Sequence, residues 1–186
     1  EDLLGDKFEE TVQFNKVLGN EYLIIRWLER SNYTSKEDWI KTTNLFNELS
    51  AKLKPFGMKL GYHNHEFEFD KVGDEILWNI IADNTNKDFV LQLDLGNCAK
   101  AGVDPIQFLE RTEGRTYTTH LKPYSAKDEK AFIGEDDIDW TKAFEIYESK
   151  SGVDWYIIEY EVELENISHI EALKINYEKF LKIMEK

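Results

Sequence analysis

The sequence predicts an α/β fold in which parallel strands, joined by helices, form a (β/α) barrel. Runs of strand formers alternate along the chain with helix-like stretches. That order implies crossover connections and so parallel pairing, in either a doubly wound sheet or a barrel. Within the runs, apolar and polar residues alternate: Leu91 and Leu93 oppose Gln92 and Asp94, and Tyr117, Thr119 and Leu121 oppose Thr118, His120 and Lys122. A parallel sheet covered by helices on both faces would be apolar on both. A barrel strand instead turns one face inward and accepts polar residues near its C-terminal rim. Four of the runs also close on side chains able to hold a divalent metal: Gly61-Tyr62-His63-Asn64-His65, Leu91-Gln92-Leu93-Asp94, Thr118-Thr119-His120-Leu121-Lys122 and Ile157-Ile158-Glu159-Tyr160-Glu161. One such ending means little, but four in succession point to one site assembled from several strand ends.

Phe8 to Leu18 has the spacing of an amphipathic helix and stops at Gly19-Asn20, after which Tyr22 to Trp27 is a short run of strand formers. Ser35 is the expected N-cap of the next helix, with Asp38 at the capping-box position, and Pro55 with Gly57 closes it after about Lys54. Met58 to Asn64 follows as strand. The pattern repeats with Ile76 to Asp83 as helix, Phe89 to Asp94 as strand, Pro105 to Arg111 as helix and Thr116 to Leu121 as strand. Trp140 to Lys150 as helix, Trp155 to Tyr160 as strand and a last helix from Ser168 to about Met184 complete the series. No Gly, Pro or Ser tract divides the chain, so residues 1–186 are expected to form a single domain.

At 186 residues, 41% apolar and 13% aromatic, the chain can bury a full-sized core. Its 37 acidic residues outnumber 23 basic ones, for a formal net charge of −14, and such a surface repels polyanions. The basic residues are scattered and flanked by acids, as in Lys127-Asp128-Glu129-Lys130, so neither nucleic acid nor membrane is expected as a partner. No apolar run approaches the ~20 residues that span a bilayer. Cys98, the lone cysteine, excludes an intramolecular disulfide and reads as a small buried hydrophobe. The chain opens on Glu1-Asp2, neither an initiator Met nor a signal peptide, and is expected to start inside a larger gene product. A cytoplasmic location is expected, with a periplasmic or secreted one left open for the same reason.

With these residues in view, the chain resembles the sugar phosphate isomerase/epimerase superfamily, the xylose-isomerase-like TIM barrels that also include an abasic-site endonuclease branch. The resemblance covers essentially the whole chain. It rests on the joint order and spacing of Gly61-Tyr62-His63-Asn64-His65-Glu66-Phe67-Glu68-Phe69, Leu93-Asp94-Leu95-Gly96-Asn97 followed by Ala101-Gly102-Val103-Asp104-Pro105, His120-Leu121-Lys122, Gly134-Glu135-Asp136-Asp137-Ile138-Asp139-Trp140 and Ile157-Ile158-Glu159. It implies one divalent metal near the barrel axis, with His63, Asp94, His120 and Glu159 at the ligand positions. Two imidazoles and two carboxylates suit manganese, zinc, iron or cobalt and leave room for a bidentate hydroxy-ketone or water. The implied reaction is isomerisation or epimerisation by proton abstraction alpha to the carbonyl of a bound sugar or polyol. Glu159 is then the base, His65 a second acid/base group and Lys122 a cation beside the developing oxyanion.

Two departures shape that expectation. The epimerases usually carry Glu where this chain has His63, which removes one member of a two-base pair; one-base isomerisation, or dehydration of a keto-sugar or keto-inositol, remains open, as does a degenerate barrel that only binds carbohydrate. Members of the superfamily also carry a strand, helix and strand before the segment matching Phe8 to Leu18, so roughly the first quarter of an eight-unit barrel is expected outside this sequence. The endonuclease branch has more His ligands, including one where this chain has Asn97, and is disfavoured.

Several residues have plainer readings beside the functional ones. Asn97, Glu161 and Arg26 are the expected substrate contacts, yet Asp94 and Asn97 would also suit a helix cap, and Arg26 a salt bridge to the acidic rim. His65 would equally serve as support for a neighbouring ligand. Glu66 and Glu68 read as solvated or structural, His169 as surface, and Asp139 as the N-cap of its helix. Trp27, Trp78 and Trp155 are expected in the core facing the helices. Related barrels often pair, which makes a homodimer the assembly suggested by the resemblance.

Overall fold

A computed structural model of the chain describes residues 5–29, 33 and 35–185. Two compact units divide it: Glu1–His63 with Lys71–Leu91, and Asn64–Asp70 with Gln92–Lys186.

The first unit begins with α1 (Phe8–Leu18), which ends where Gly19 takes the left-handed conformation at φ 67°. Gly is the residue that adopts this turn without a Cβ clash. Next come β1 (Tyr22–Ile25) and α2 (Lys36–Leu53). Ser35 caps α2 through the expected box: its Oγ accepts from the Asp38 N–H at 3.2 Å and its own N–H donates to Asp38 Oδ2 at 3.2 Å. A 3-10 turn over Lys54–Phe56 stops at Gly57, and β2 (Lys59–His63) follows. A small antiparallel hairpin, β3 (Lys71–Val72) with β4 (Glu75–Ile76), leads into α3 (Leu77–Asn84). β5 (Val90–Gln92) completes a sheet of order β1-β2-β5, with β1 and β2 parallel and Ile25 opposite Tyr62.

Packing rather than capping holds α2 in place. Its buried Trp39, Phe46, Leu49 and Leu53 face the sheet, and the Phe46 ring stacks on Tyr62 at 5.9 Å and Phe89 at 5.3 Å. Each such side chain contributes about 1.5–3 kcal/mol on burial, against about 1 kcal/mol for a good cap.

The second unit holds α4 (Leu95–Lys100), α5 (Pro105–Arg111), β6 (Thr118–Leu121), α6 (Trp140–Ile146) running on as a π turn over Tyr147–Ser151, β7 (Trp155–Ile158) and α7 (His169–Met184). β6 and β7 are parallel, with Thr118 opposite Trp155 and Leu121 opposite Ile158. The alternation read from the sequence holds here. Thr118 accepts from Gln92 Nε2 at 2.7 Å on one face of β6, while Thr119, on the other, donates to the Leu93 carbonyl at 2.7 Å and meets the Tyr147 hydroxyl at 2.7 Å. Phe144 packs edge-on to Tyr156 and Phe180, tying α6 and α7 to β7.

The strands are shorter than their strand-forming runs, β2 and β5 at both ends and β1, β6 and β7 at one. Two pieces escaped the periodicity altogether: α4, too short to show a helical repeat, and the two-residue strands β3 and β4. Trp78 is fully buried as expected, but Trp27 is 49% and Trp155 63% exposed. Trp155 opens β7 and Trp27 lies just past β1, and among the described strands β1 pairs with β2 alone and β7 with β6 alone, so no further strand covers the outer side of either. No helix among the described residues is long and apolar enough to cross a membrane.

Candidate metal centre

Three of the anticipated ligands meet at the C-terminal ends of neighbouring strands in the second unit. Asp94, just past β5, forms a parallel bridge with His120 on β6, and the Glu159 N–H donates to the Leu121 carbonyl at 3.2 Å, carrying the β6–β7 ladder one residue further. Asp94, His120 and Glu159 each present a ligand atom within 4.8 Å of the others.

Asp94 is fully buried and does two things at once. It N-caps α4, with Oδ1 accepting from the Asn97 N–H at 2.7 Å. Its other oxygen, Oδ2, is buried without a hydrogen-bond donor among the described residues, and His120 Nδ1 stands 3.7 Å away. Burial pushes this carboxyl up to about 7, against the opposing pull of the Asn97 N–H, His120 and Lys122. Glu159 is pushed the other way. The hydrogen bond from His120 Nδ1 to Oε2, joined by the Lys122 ammonium at 2.9 Å from Oε1, holds it at about 2 despite partial burial. Lys122 Nζ also reaches Glu161 Oε2 at 2.6 Å. Burial lowers its affinity for a proton, but its bonds to Glu161 and Glu159 outweigh that and keep it charged.

Two asparagines set this frame. Asn64 clamps the Asp94 backbone from both sides, Oδ1 accepting from its N–H at 2.8 Å and Nδ2 donating to its carbonyl at 3.2 Å. Asn97 Nδ2 donates to the Asn64 carbonyl at 3.1 Å. Gly96 brings α4 against β6: a Cβ there would collide with the Lys122 carbonyl oxygen and stand 3.0 Å from its carbon.

Beside Glu159 opens a cleft of about 280 Å³ lined by residues that include Lys100, Lys122, Tyr124, Ser125, Glu129 and Glu161. Its wall, the segment between β6 and α6, is fastened by the acidic run. Asp136 accepts from the Trp140 indole at 2.8 and 2.9 Å, from the Tyr124 N–H at 3.3 Å and from the Gly134 N–H at 3.2 Å. Asp139 caps α6, accepting from the Lys142 N–H at 3.0 Å.

The model of the xylose isomerase-like TIM barrel family matches residues 5–182. The chain belongs to that family. Among solved structures, a sugar phosphate isomerase/epimerase from Parabacteroides distasonis ATCC 8503 superposes with TM-score 0.81 at 20% identity, over 98% of this chain and 66% of its own. An L-ribulose 3-epimerase gives TM-score 0.66 at 12% identity, over 97% and 68%. A probable 3-DHS dehydratase from Bacillus anthracis gives 0.65 at 10%, over 97% and 69%. At these identities the likeness shows the fold. This TIM-barrel chain spans about two thirds of the length of those structures, in line with a barrel of more strands than it supplies. No curated protein matches the sequence.

Within this xylose isomerase-like barrel the residues present fit a divalent ion. The buried Asp94 Oδ2 lacks a donor, a state that costs several kcal/mol for a charged oxygen and that a cation relieves. Imidazole and carboxylate donors suit zinc, manganese, cobalt or iron.

The other anticipated residues fall as follows. His63 is buried at the end of β2, the last residue of the first unit, one peptide bond before the clamping Asn64. His65 is half-buried and stacks face to face with Phe67 at 6.2 Å; burial first, then Lys122 nearby, lowers its affinity for a proton against the pull of Glu66, Glu159 and Glu161. Glu161 lines the cleft, Asn97 turns its side chain to Asn64, and Arg26 is exposed after β1 in the first unit. Glu68 is buried and accepts from the His65 N–H at 2.7 Å, a structural use. Asn64, Gly96 and Asp136 carry the frame; each lies inside a motif quoted for the family resemblance, but none was given a role of its own. For Asn64 the available signal was its place between two histidines at a strand end.

Proposed function

We propose that this chain carries the catalytic site of a metal-dependent sugar isomerase or epimerase that removes a proton alpha to a carbonyl. The observation that supports it most is the buried, donorless Asp94 Oδ2 facing the paired His120 and Glu159. Asp94, His120 and Glu159 would hold the ion, and the family resemblance adds His63 as the fourth ligand. Bound there, a divalent cation supplies Lewis acidity that polarises a sugar carbonyl.

The chain's own groups divide the remaining work. Glu159 Oε2 is engaged by His120, while Oε1 is held by Lys122, which already contacts Glu161. Transfer of Lys122 to Glu161 frees Oε1 and raises its basicity, so Glu159 takes the proton as the C–H pair moves into the enediol. Lys122 stabilises the negative oxygen, His65, recharged from solvent, returns a proton, and Glu159 releases to water the one it took. Dehydration is the second reading. It shares the proton removal and differs in the loss of a neighbouring hydroxyl; the likeness to a probable 3-DHS dehydratase supports it at the level of fold.

Incubating metal-loaded protein with a sugar panel in D2O tests both readings. Deuterium entering alpha to a carbonyl, lost by about 10²–10⁴-fold in Glu159→Gln, is the expected result. Proton exchange that persists in Glu159→Gln, or none in the wild type with any sugar, overturns the assignment, and release of water separates dehydration from isomerisation.

A further inference from the structure

The cleft beside Glu159 also speaks to the class of substrate, on the reading just given. Its lining carries Lys100 and Lys122 against Glu129, Glu159 and Glu161, two positive charges against three negative. A divalent ion adds two and Asp94 removes one, which leaves the loaded site neutral. Glu66, paired to Lys100, then makes it negative. Lys122, the cation nearest Glu159, is already shared between two carboxylates, at 2.9 Å and 2.6 Å.

Such a lining is rich in acceptors. The Glu161 carboxylate is 68% exposed and Glu129 is exposed as well. A polyol offers hydroxyl donors in every direction to these oxygens. A phosphate monoester is a dianion near neutral pH, carries no donor and would bring like charge beside three glutamates.

We infer that this cleft takes an unphosphorylated sugar or polyol and discriminates against a sugar phosphate by charge. The discrimination comes from repulsion, the form in which specificity is built against a close analogue.

Calorimetric titration of the Mn2+-loaded protein with matched pairs of ketoses and their terminal phosphates tests this. The neutral member of at least one pair should bind roughly tenfold tighter or better, equivalent to about 1.4 kcal/mol. The gap should shrink at high salt and in Glu129→Gln and Glu161→Gln, as expected for partly screened charges. Tighter binding of a phosphate, a gap insensitive to salt and to both substitutions, or binding of no neutral sugar overturns the inference. The initial Mn2+ titration reads the metal assignment separately. If Mn2+ does not bind, that assignment falls, and the same pairs on metal-free protein still decide the charge preference.

Discussion

At Gly96 two effects of a single methyl compete. Alanine in place of glycine favours a helix by about 1 kcal/mol, but here its Cβ would meet the backbone of Lys122, with the carbonyl carbon and Cβ both at 3.0 Å. Backbone atoms at the end of a strand do not yield as a flexible side chain does, and overpacking costs about 1–3 kcal/mol. The collision wins. Gly96→Ala should therefore lower the urea midpoint and, because Lys122 holds Glu159 Oε1, slow deuterium entry into substrate as well. An unchanged midpoint with unchanged exchange would show that α4 shifts freely and that Lys122 is not positioned by it.

The β6–α6 connection is an element whose order depends on Asp136. Four hydrogen bonds from Trp140, Tyr124 and Gly134 hold its carboxylate, yet burial outweighs them and pushes the carboxyl up to about 6. A carboxyl raised above its ordinary value binds its proton more tightly folded than unfolded. Its contribution to stability is full below the ordinary 3.8 and is lost as pH rises through about 6. Asp136→Asn places an amide donor against a donor already there, which costs about 1–3 kcal/mol, and it abolishes this titration. Unfolding midpoints between pH 4 and 6 should fall with rising pH more steeply in the wild type than in the variant, by on the order of 1–3 kcal/mol across the window. Parallel pH profiles for the two proteins would contradict the assignment. At this scale the sequence was most informative: α1, α5 and the Ser35 box stand at the boundaries the capping residues marked. It was least so for α4, since a six-residue helix offers fewer than two turns of periodicity.

For the whole molecule the predictable consequence of the centre is linkage between metal and folding. An ion that binds only the folded chain stabilises it by about 2.7 kcal/mol at a hundredfold excess over its Kd. Adding Mn2+ or Zn2+ should raise the melting temperature, and a chelator should reverse the rise. Asp94→Asn should abolish the response, yet metal-free it should be no less stable than the wild type, because Asn keeps the oxygen that caps α4 and removes a buried carboxylate whose Oδ2 accepts no hydrogen bond. A metal response that survives in Asp94→Asn would place the ion elsewhere. The net charge of −14 adds a general repulsion that salt screens, so ionic strength must be held fixed in these scans.

The sequence by itself determined the order of helices and parallel strands, because caps, breakers and alternation are local: each is written within a few residues of the boundary it sets. It also brought forward the ligand types, since a polar residue of inward parity at a strand end is visible in one run. The cap at Asp94 was legible too, but tertiary structure alone decided that its other oxygen lacks a donor, that Asn64 and Gly96 hold the frame, and that Lys122 is divided between Glu159 and Glu161. It decided too that Trp27 and Trp155 stay exposed. Those facts depend on burial and on pairs of residues some 30 to 40 positions apart, and neither desolvation nor long-range contact is encoded in any single stretch of chain.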